Sequence, residues 1–385
     1  MHKKIRVLHF TTHDEECGIA KYQAQFIEGM SGISDVDNEI FEVSPNKTKL
    51  ISEAEFSHVL DSLVGQMENF DILHIQHELS FFSEDDLLKI VKAVKSINKK
   101  ILVTIHTAPS AQYKRATLDG YGPHSIVHYQ RTKNRASAFL NTYVAPLKYV
   151  DLIVAHNQPT KDDLVSHGID PAKIQLIKMP VPVLSFTEKT NEVSEKLRTT
   201  KQDVIFCTVG FISDAKGVKE AVKALRFLPD NYKLAIVGGG HPSGANDEFY
   251  NDLCDLIIKF NLEARVYITG YIQEDDRLNA LIRECDICVY PYDAKYYSYV
   301  SSAALSTGIA NHKPTIAYPT RSFIEINAEI DVVKFCQSPN YYELAREILD
   351  IDVNEAEKKS EKYAQLYNWN SEALKFVDTY RRLAS

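Results

Sequence analysis

Short runs of valine, isoleucine and leucine alternate with longer amphipathic stretches from one end of the chain to the other. Strands buried on both faces read as continuous apolar runs, and the helices that cover them carry an apolar stripe. The alternation therefore predicts βαβ units built on parallel sheets. No internal repeat of about 20 to 50 residues and no low-complexity stretch suggests another architecture.

The alternation is interrupted at Met179-Pro180-Val181-Pro182-Val183. The two prolines cannot donate ladder hydrogen bonds, so an extended connector is expected here. A chain of 385 residues has room for two domains, which we place at 1–180 and 181–366. The predicted fold class is α/β, with two Rossmann-like doubly wound domains that face each other across a ligand-binding cleft.

The elements follow from the apolar runs and the stretches between them. The predicted strands are Ile5–Phe10, Glu39–Val43, Asp71–His77, Ile101–His106, Leu152–His156, Ile174–Met179, Val204–Val209, Lys233–Val237, Arg265–Thr269, Ile287–Tyr290 and Pro314–Ala317. The predicted helices are Gly18–Met30, Ile51–Met67, Glu84–Ile97, His124–Leu147, Lys161–His167, Val218–Phe227, Asp247–Phe260, Glu274–Arg283, Ser301–Ala310, Tyr341–Leu349 and Asn368–Leu383.

Charge narrows the function classes. A net charge of −8 argues against a general nucleic-acid binder, which needs a broad basic surface. Residues 89–148 differ from the rest of the chain, because they hold eleven lysines and arginines and one acid, Asp119. This segment is either a solvated basic face or a surface that attracts an anionic acceptor, such as a phosphate-linked lipid, or an acidic membrane.

The first apolar stretch, Val7–Phe10, is too short for an export signal, and no run reaches the roughly 20 apolar residues of a spanning helix. The expected location is the cytoplasm, with any membrane contact peripheral and at the inner face.

The pair Cys285 and Cys288 has CxxC spacing, but no second pair or close histidine pair accompanies it. Reduced, buried thiols are therefore favoured over a redox or zinc site.

In the second half, a strand runs into Gly210, and Lys216-Gly217 follow just before a helix. A cation beside a helix N-terminus suits a diphosphate, since free N–H groups and the helix dipole favour anions there. The segment is not a P-loop, because the GK[ST] ending is absent. The alternative is that Lys216 is a solvated lysine in a turn.

Two further segments of this half offer ligand contacts. Gly239 lies in a glycine run after the next strand, where a tight turn and a close ligand approach are both possible; the run misses G-x-G-x-x-G by one residue. Ser301 and Ser302 open a predicted helix. One serine there is an ordinary N-cap, whereas two followed by small residues would also suit a docked phosphate.

Polar groups follow three strands of the first half. His13 lies in the loop after the first strand, His77-Glu78 end the third and His106 ends the fourth. Each histidine alone is more often structural, but parallel strands deliver their carboxyl ends to one edge of a sheet. Convergence at that edge favours a functional site for His106 and His77 with Glu78.

Taken together, these segments resemble the retaining GT-B glycosyltransferases of family 4, which use nucleotide-sugar donors. The likeness covers nearly the whole chain and includes the terminal Trp369…Tyr380 stretch. It implies a nucleotide-binding second domain, an acceptor-binding first domain and a final helix, 367–385, that packs back on the first domain. It also implies site residues. His106 and Lys216 would be catalytic; Gly18, Gly210, Lys216, Gly239, Tyr271, Ile272, Tyr299, Ser301 and Ser302 would bind the donor; His13, His77 and Glu78 would lie on the acceptor side.

The chain also departs from the family pattern. Many members carry a basic residue where this chain has Phe211, and two glutamates where it has Tyr299 and Thr307. Those glutamates usually contact the donor sugar and the ribose. Some relatives have a Ser-Ser-Gly helix start, which this chain matches except at Ala303.

The expected function is sugar transfer from a UDP- or GDP-type donor to a glycan or lipid-linked acceptor hydroxyl, with retention and without metal or other cofactor. Its setting would be the synthesis of cell-surface polysaccharide or glycoconjugate. The alternative from another class is a catalytically silent subunit that binds a partner glycosyltransferase or a glycan. A dinucleotide-dependent oxidoreductase is disfavoured because the early glycine fingerprint is absent, and phosphorylase-like chemistry is disfavoured by the length of the chain.

Overall fold

The structure is a computed structural model, and it describes residues 4–13, 17–43, 53–78, 86–112, 126–127, 130, 143–240 and 247–385. The chain divides into two compact units. The first unit comprises Met1–Lys178, Tyr299–Ser301 and Trp369–Ser385; the second unit comprises Met179–Ser298 and Ser302–Asn368.

Strands and helices alternate in both units. The strands are β1 (Ile5–Thr11), β2 (Val36–Glu42), β3 (Ile72–His77), β4 (Lys100–Ile105), β5 (Leu152–Ala155), β6 (Ile174–Leu176), β7 (Val204–Val209), β8 (Tyr232–Val237), β9 (Val266–Ile268), β10 (Ile287–Tyr290), β11 (Thr315–Ala317) and β12 (Val333–Phe335). The helices are α1 (Gly18–Met30), α2 (Glu53–Met67), α3 (Asp86–Ser96), α4 (Gln158–Ser166), α5 (Glu192–Leu197), α6 (Val218–Leu225), α7 (Asp247–Lys259), α8 (Asp275–Glu284), α9 (Ala294–Tyr297), α10 (Ala303–Ala310), α11 (Arg321–Ile324), α12 (Tyr341–Asp350), α13 (Val353–Leu366) and α14 (Trp369–Ala384).

Each unit contains one six-stranded parallel sheet. The order in the first unit is β2-β1-β3-β4-β5-β6, and the order in the second is β12-β11-β10-β7-β8-β9. The second order is that of the Rossmann fold, and the first extends the flavodoxin-like order. The predicted fold class of two Rossmann-like doubly wound domains is confirmed.

Strand order fixes where each sheet offers a binding edge. In open α/β sheets, ligands bind beyond the carboxyl ends of the strands, where the direction of sheet growth reverses. The reversal lies between β1 and β3 in the first sheet and between β7 and β10 in the second. The loop after β7 contains Gly210 and Lys216, and the segment after β10 leads to α10.

The sheet of the second unit is buried on both faces. Along β7, Ile205 and Cys207 belong to one apolar cluster, and Phe206 belongs to the other. This period of two means that helices cover both faces, which explains why the strands read as unbroken apolar runs. Burial of both faces holds the loops at the carboxyl edge on a rigid support.

The C-terminal helix α14 belongs to the first unit. The Trp369 indole N–H donates to Gln25 Oε1 over 2.9 Å, and a Cβ on Gly29 would lie 3.1 Å from Trp369 O. Arg381 forms an ion pair with Asp35 over 2.6 Å. A hydrogen bond from Trp369 and its close packing on Gly29 thus join α14 to α1, and a surface ion pair joins α14 to the residue before β2.

Eleven of the twelve strands were predicted from the apolar runs, with ends that differ by up to three residues. The missed strand, β12, has only three residues. Four described helices were not predicted. Three of them, α5, α9 and α11, have only four to six residues. The fourth, α13, buries only Ser360 and Tyr363, so its sequence lacks an apolar stripe. The predicted helix His124–Leu147 lies largely outside the described residues.

The structure also describes part of the basic segment, the cysteines and the apolar content of the helices. Of the basic segment 89–148, Lys95 pairs with Asp151 over 2.9 Å and Lys99 donates to two backbone carbonyls; 113–125, 128–129 and 131–142 lie outside the described residues. The six cysteines are free thiols. Among the described residues, no helix is long and apolar enough to cross a membrane.

Candidate active site

Glycines bring three strand ends of the second unit close together. Gly238 has φ +150°, and a Cβ there would lie 2.1 Å from Gly210 O. A Cβ on Gly239 would lie 2.4 Å from Tyr271 N. Larger residues would push these turns apart, so the glycines at the carboxyl edge are required by backbone packing. Backbone packing therefore explains the glycine at position 239, whether or not this residue also contacts the donor as predicted.

The Lys216 amine lies directly over Gly210. Gly210 has φ +104°, and a Cβ on it would lie 2.4 Å from Lys216 Nζ and 4.0 Å from the Ala304 Cβ. Since Ala304 is in the first turn of α10, the amine and this helix start converge on one glycine. In the sequence Lys216 comes just before helix α6, and the anion site was expected at the start of that helix. In the structure the Lys216 amine approaches the start of α10 instead.

A short turn, Asp214–Lys216, positions the lysine and ends at Gly217 in the left-handed conformation, with φ +64°. A Cβ on Gly217 would lie 1.9 Å from Pro291 O. The turn therefore packs directly against the backbone that leaves β10. Only glycine provides both this φ and this closeness.

The electrostatics of Lys216 are unusual for a lysine. The side chain is partly buried, and in the described part of the chain no carboxylate pairs with it. Burial lowers the pKa of Lys216 from 10.5 to about 8. Its Nζ lies 6.0 Å from the centre of the Phe211 ring. The amine is thus a desolvated cation at neutral pH, which favours an anionic ligand.

Helix α10 begins at Ala303, two residues later than predicted. Ser302 is the N-cap, and its Oγ accepts from Leu305 N over 3.2 Å. Buried Tyr290 donates to Ala304 O over 2.8 Å, and a Cβ on Gly308 would lie 2.3 Å from the Tyr290 hydroxyl. The cap satisfies one N–H of the first turn, and the others are the groups that a helix N-terminus offers to an anion.

Ser301 and Tyr299 belong to the first unit, although their positions in the sequence lie within the predicted second domain. Asn157 Nδ2 donates to Ser301 Oγ over 3.0 Å, and Thr160 Oγ1 donates to Tyr299 O over 2.9 Å. The two serines therefore have separate partners, and only Ser302 caps α10. Thr307, at the second glutamate position of the family, donates its hydroxyl to Ala303 O over 2.9 Å.

An aromatic pair lies at the carboxyl edge of the second unit. The Phe211 and Tyr271 rings are stacked, with centroids 5.7 Å apart and planes 6° from parallel. Tyr271 is 38% exposed, and Ile272 is buried. The family resemblance implies that the backbone of Tyr271 and Ile272 faces the nucleotide base, but the stacking of Tyr271 on Phe211 was not predicted.

In the first unit, histidines from three strand ends lie together. The ring centroids of His106 and His156 are 5.7 Å apart, and Tyr22 of α1 packs against both, at 4.6 and 5.4 Å. His106 N donates to His77 O over 3.1 Å. His156 was not among the predicted site residues, although its position at the end of β5 matches those of His77 and His106.

These imidazoles are neutral at pH 7. Burial lowers the pKa of His77 and of His156 to about 4. Burial also lowers the pKa of His106 well below 6.5, and the nearby His156 and His77 add to the effect. A ring in this environment acts as a hydrogen-bonding group and is a poor proton acceptor.

The remaining predicted residues of the first unit surround this group. Thr107 Oγ1 donates to Glu78 Oε2 over 2.7 Å. His13 is partly buried in the segment after β1, and Gly18 is the exposed first residue of α1. A Cβ on Gly18 would contact nothing within 4 Å, so packing among the described residues does not explain a glycine there. Those residues also contain no cluster of three or more His, Cys, Asp and Glu arranged for a metal ion.

Comparisons with known proteins agree with this architecture. The profile of Glycosyl transferases group 1 matches residues 189–367, and that of Glycosyltransferase Family 4 matches residues 36–183. No curated protein sequence matches significantly.

Several solved structures share the fold along their whole length. A glycosyltransferase from Rickettsia africae has a TM-score of 0.71, 16% identity and 99% coverage of each chain. Sucrose-phosphate synthase from Thermosynechococcus elongatus has a TM-score of 0.69, 18% identity and 99% coverage of each chain. Anabaena Alr3699/HepE, solved in complex with UDP-glucose, has a TM-score of 0.69 and 13% identity, over 98% of this chain and 100% of that one.

The two Rossmann-like sheets and the structural matches show the GT-B fold, and the two profiles show that the chain is a glycosyltransferase. Within that class, the chain belongs to the family 4-like enzymes, since the two profiles take in most of its length.

Proposed function

We propose that this glycosyltransferase transfers a sugar, with retention, from a UDP- or GDP-type donor to a hydroxyl of a glycan or a lipid-linked acceptor. The setting would be the synthesis of cell-surface polysaccharide or glycoconjugate. The observation that carries the proposal is the position of the Lys216 amine, which lies over Gly210 and beside the first turn of α10. The complex of Alr3699/HepE with UDP-glucose supports a donor of this type.

The main electrostatic problem of this reaction is the charge on the departing diphosphate. Lys216 and the N–H groups at the start of α10 would stabilise that charge, with Ser302 holding the helix start in place. Preorganised groups of this kind are commonly worth about 3 to 4 kcal/mol each in the transition state. Gly210 and Gly239 would admit the donor, while the backbone of Tyr271 and Ile272 would face the base.

The first unit would hold the acceptor. His106, which is neutral and partly exposed, would hydrogen-bond a hydroxyl of the migrating sugar and orient it. His13, His77 and Glu78 would line the acceptor side, and Gly18 would lie near the donor phosphates. In this account His106 is not an obligatory base.

The pKa of Lys216 predicts how donor affinity varies with pH. Below pH 8 the amine is charged and attracts the diphosphate; above pH 8 the free protein loses the charge, and binding must restore a proton. The donor Kd should therefore rise about tenfold per unit above pH 8. Calorimetry between pH 7 and 9.5 measures this. In Lys216→Arg the cation persists and the rise should disappear, whereas a flat wild-type profile would contradict the assignment.

Metal removal should leave the reaction intact. Because Lys216 and the helix start supply the positive charge in this proposal, EDTA at millimolar concentration should change donor turnover by less than about twofold. Released nucleotide gives the measurement, and a metal-dependent glycosyltransferase serves as the positive control for chelation. Loss of turnover that added Mg²⁺ or Mn²⁺ restores would show that the charge is stabilised by a metal instead.

A second candidate is a catalytically silent subunit that binds a partner glycosyltransferase or a glycan. It is favoured by Phe211 and Thr307, which stand where many members have charged residues; the first stacks on Tyr271 and the second bonds within its own helix. Calorimetry with UDP, GDP and ADP separates the candidates. The silent subunit predicts that none of them binds.

The proposed activity itself is tested with a panel of UDP-, GDP- and ADP-sugars. Thermal shift identifies the donor, and nucleotide release with an added acceptor measures transfer. NMR of the product gives the anomeric configuration. Retention supports the proposal, and inversion would overturn that part of it.

A further inference from the structure

A chain of hydrogen bonds inside the first unit joins His106 to the C-terminal helix α14. His106 Nε2 lies 2.9 Å from Gln76 Oε1, and Gln76 Nε2 lies 3.4 Å from His74 Nε2. His74 Nδ1 lies 2.7 Å from the Tyr380 hydroxyl. His74, Gln76 and Tyr380 are buried to 99% or more, so water cannot replace a partner in this chain.

The polarity of the chain follows from which atoms can donate. An amide oxygen only accepts, so the proton of the neutral His106 ring is on Nε2. The Gln76 amide nitrogen can only donate, so His74 Nε2, which it contacts over 3.4 Å, is the unprotonated nitrogen of that ring. The single lone pair of His74 Nε2 is shared with the Thr104 hydroxyl, which lies 2.8 Å away. His74 therefore carries its proton on Nδ1 and donates it to Tyr380. Each orientation fixes the next, because a buried group without its partner costs about 1 to 3 kcal/mol.

We infer that Gln76, His74 and Tyr380 are positioning residues, which hold His106 in the Nε2-protonated tautomer and leave its Nδ1 as a hydrogen-bond acceptor. In this arrangement Nδ1 receives a hydrogen bond from a ligand hydroxyl and cannot donate one. The identity of that ligand as a sugar rests on the proposed function; the tautomer does not.

Other titratable groups surround His106. His77 ends the neighbouring strand β3, where it pairs with Ile105, the residue before His106. His156 packs beside the His106 ring from the end of β5, and Tyr22 packs against it from α1. Glu78 accepts a hydrogen bond from the hydroxyl of Thr107, the residue that follows His106. Because His106, His77 and His156 are neutral at pH 7, the position of the ring proton, rather than the charge, is the property that the chain controls.

The experiment is NMR of the full chain with ¹⁵N-labelled histidine, in which the His106 signals are assigned by their loss in His106→Gln. Wild type should show His106 protonated at Nε2. In Tyr380→Phe the His74 Nδ1 proton has no acceptor, so His74 should reprotonate at Nε2 towards Thr104. The Gln76 amide then turns, and His106 should move to the Nδ1-protonated form.

Thr379→Val is the matched control, since it removes another buried hydroxyl from α14, which bonds to Gln175 and Lys375. It should lower stability and leave the His106 signals unchanged. An Nδ1-protonated His106 in wild type, or the same His106 tautomer in Tyr380→Phe and wild type, would overturn the inference.

Gln76→Glu adds a test by pH. A carboxylate against His106 Nε2 should raise the pKa of the ring, so His106 becomes doubly protonated near neutral pH and loses its acceptor nitrogen. Turnover of the variant should fall about tenfold or more at pH 6 and recover as the pH rises, and an unshifted titration of His106 would count against the chain. Absence of turnover in wild type would reject the proposed function alone, because the NMR signals report the tautomer without a substrate.

Discussion

Lys216→Met should make the protein more stable and nearly inactive. Donor turnover should fall by a factor of about 10² to 10³, because the variant lacks the cation that faces the departing diphosphate. At pH 7, the temperature of unfolding of the unliganded protein should rise. Calorimetric scanning and nucleotide release measure the two effects on the same preparation.

The rise in stability follows from the direction of the pKa shift. Burial lowers the pKa of Lys216 to about 8, so between about pH 8 and 10.5 the unfolded chain binds more protons than the folded one. Below pH 8 the folded protein therefore carries the full cost of a desolvated charge, about 2 kcal/mol after allowance for partial exposure. Replacement by methionine removes that cost, and the advantage of the variant should shrink as the pH approaches 10.5.

Lys219→Met is the matched control. Lys219 lies in the neighbouring helix α6 and pairs with Asp252 over 2.9 Å at the surface. Loss of such a pair changes stability by no more than about 1 kcal/mol, and turnover should stay at the wild-type level. If the Lys216 variant were less stable than wild type, or turned over donor normally, the account of this lysine would be wrong.

Gly217→Ala should cause the largest loss of stability. The residue has φ +64°, and the new Cβ would lie 1.9 Å from Pro291 O, so the backbone itself must move. Left-handed strain costs about 1 to 2 kcal/mol, and the clash should bring the total to about 3 to 5 kcal/mol. At about 2 to 4 °C per kcal/mol, the temperature of unfolding should fall by roughly 10 °C.

Gly270→Ala separates the clash from the strain. Gly270 has a similar φ of +78°, but a Cβ there would contact nothing within 4 Å. Only the strain of about 1 to 2 kcal/mol should remain. Equal losses in the two variants would show that the turn of Lys216 is not packed against Pro291. Where Gly217→Ala still folds, its donor affinity should also fall, because that turn positions the amine.

The sequence predicted those residues of the candidate site that a local pattern can indicate. A strand, a glycine and a lysine before a helix identify Gly210 and Lys216, because glycine requirements and helix starts are local properties of the chain. Strand-end polar residues identified His77 and His106 in the same way. The rule that polar residues at strand ends are site candidates also applies to His156, which follows β5.

Contacts between distant segments could not be predicted. The bond from His74 to Tyr380 joins residues 306 positions apart, and nothing near either residue indicates its partner. The approach of Lys216 to α10 rather than to its own following helix depends on strand order, which places β7 beside β10. Ser301 and Ser302 read as a pair, yet their hydroxyls have partners in different units.

A structure of the protein with a bound nucleoside diphosphate would show directly whether Lys216 and the start of α10 hold the donor. The diphosphate should lie within hydrogen-bond distance, about 3 Å, of Lys216 Nζ and of the backbone N–H groups that open α10. A nucleotide bound away from Gly210 and that helix start would contradict this prediction.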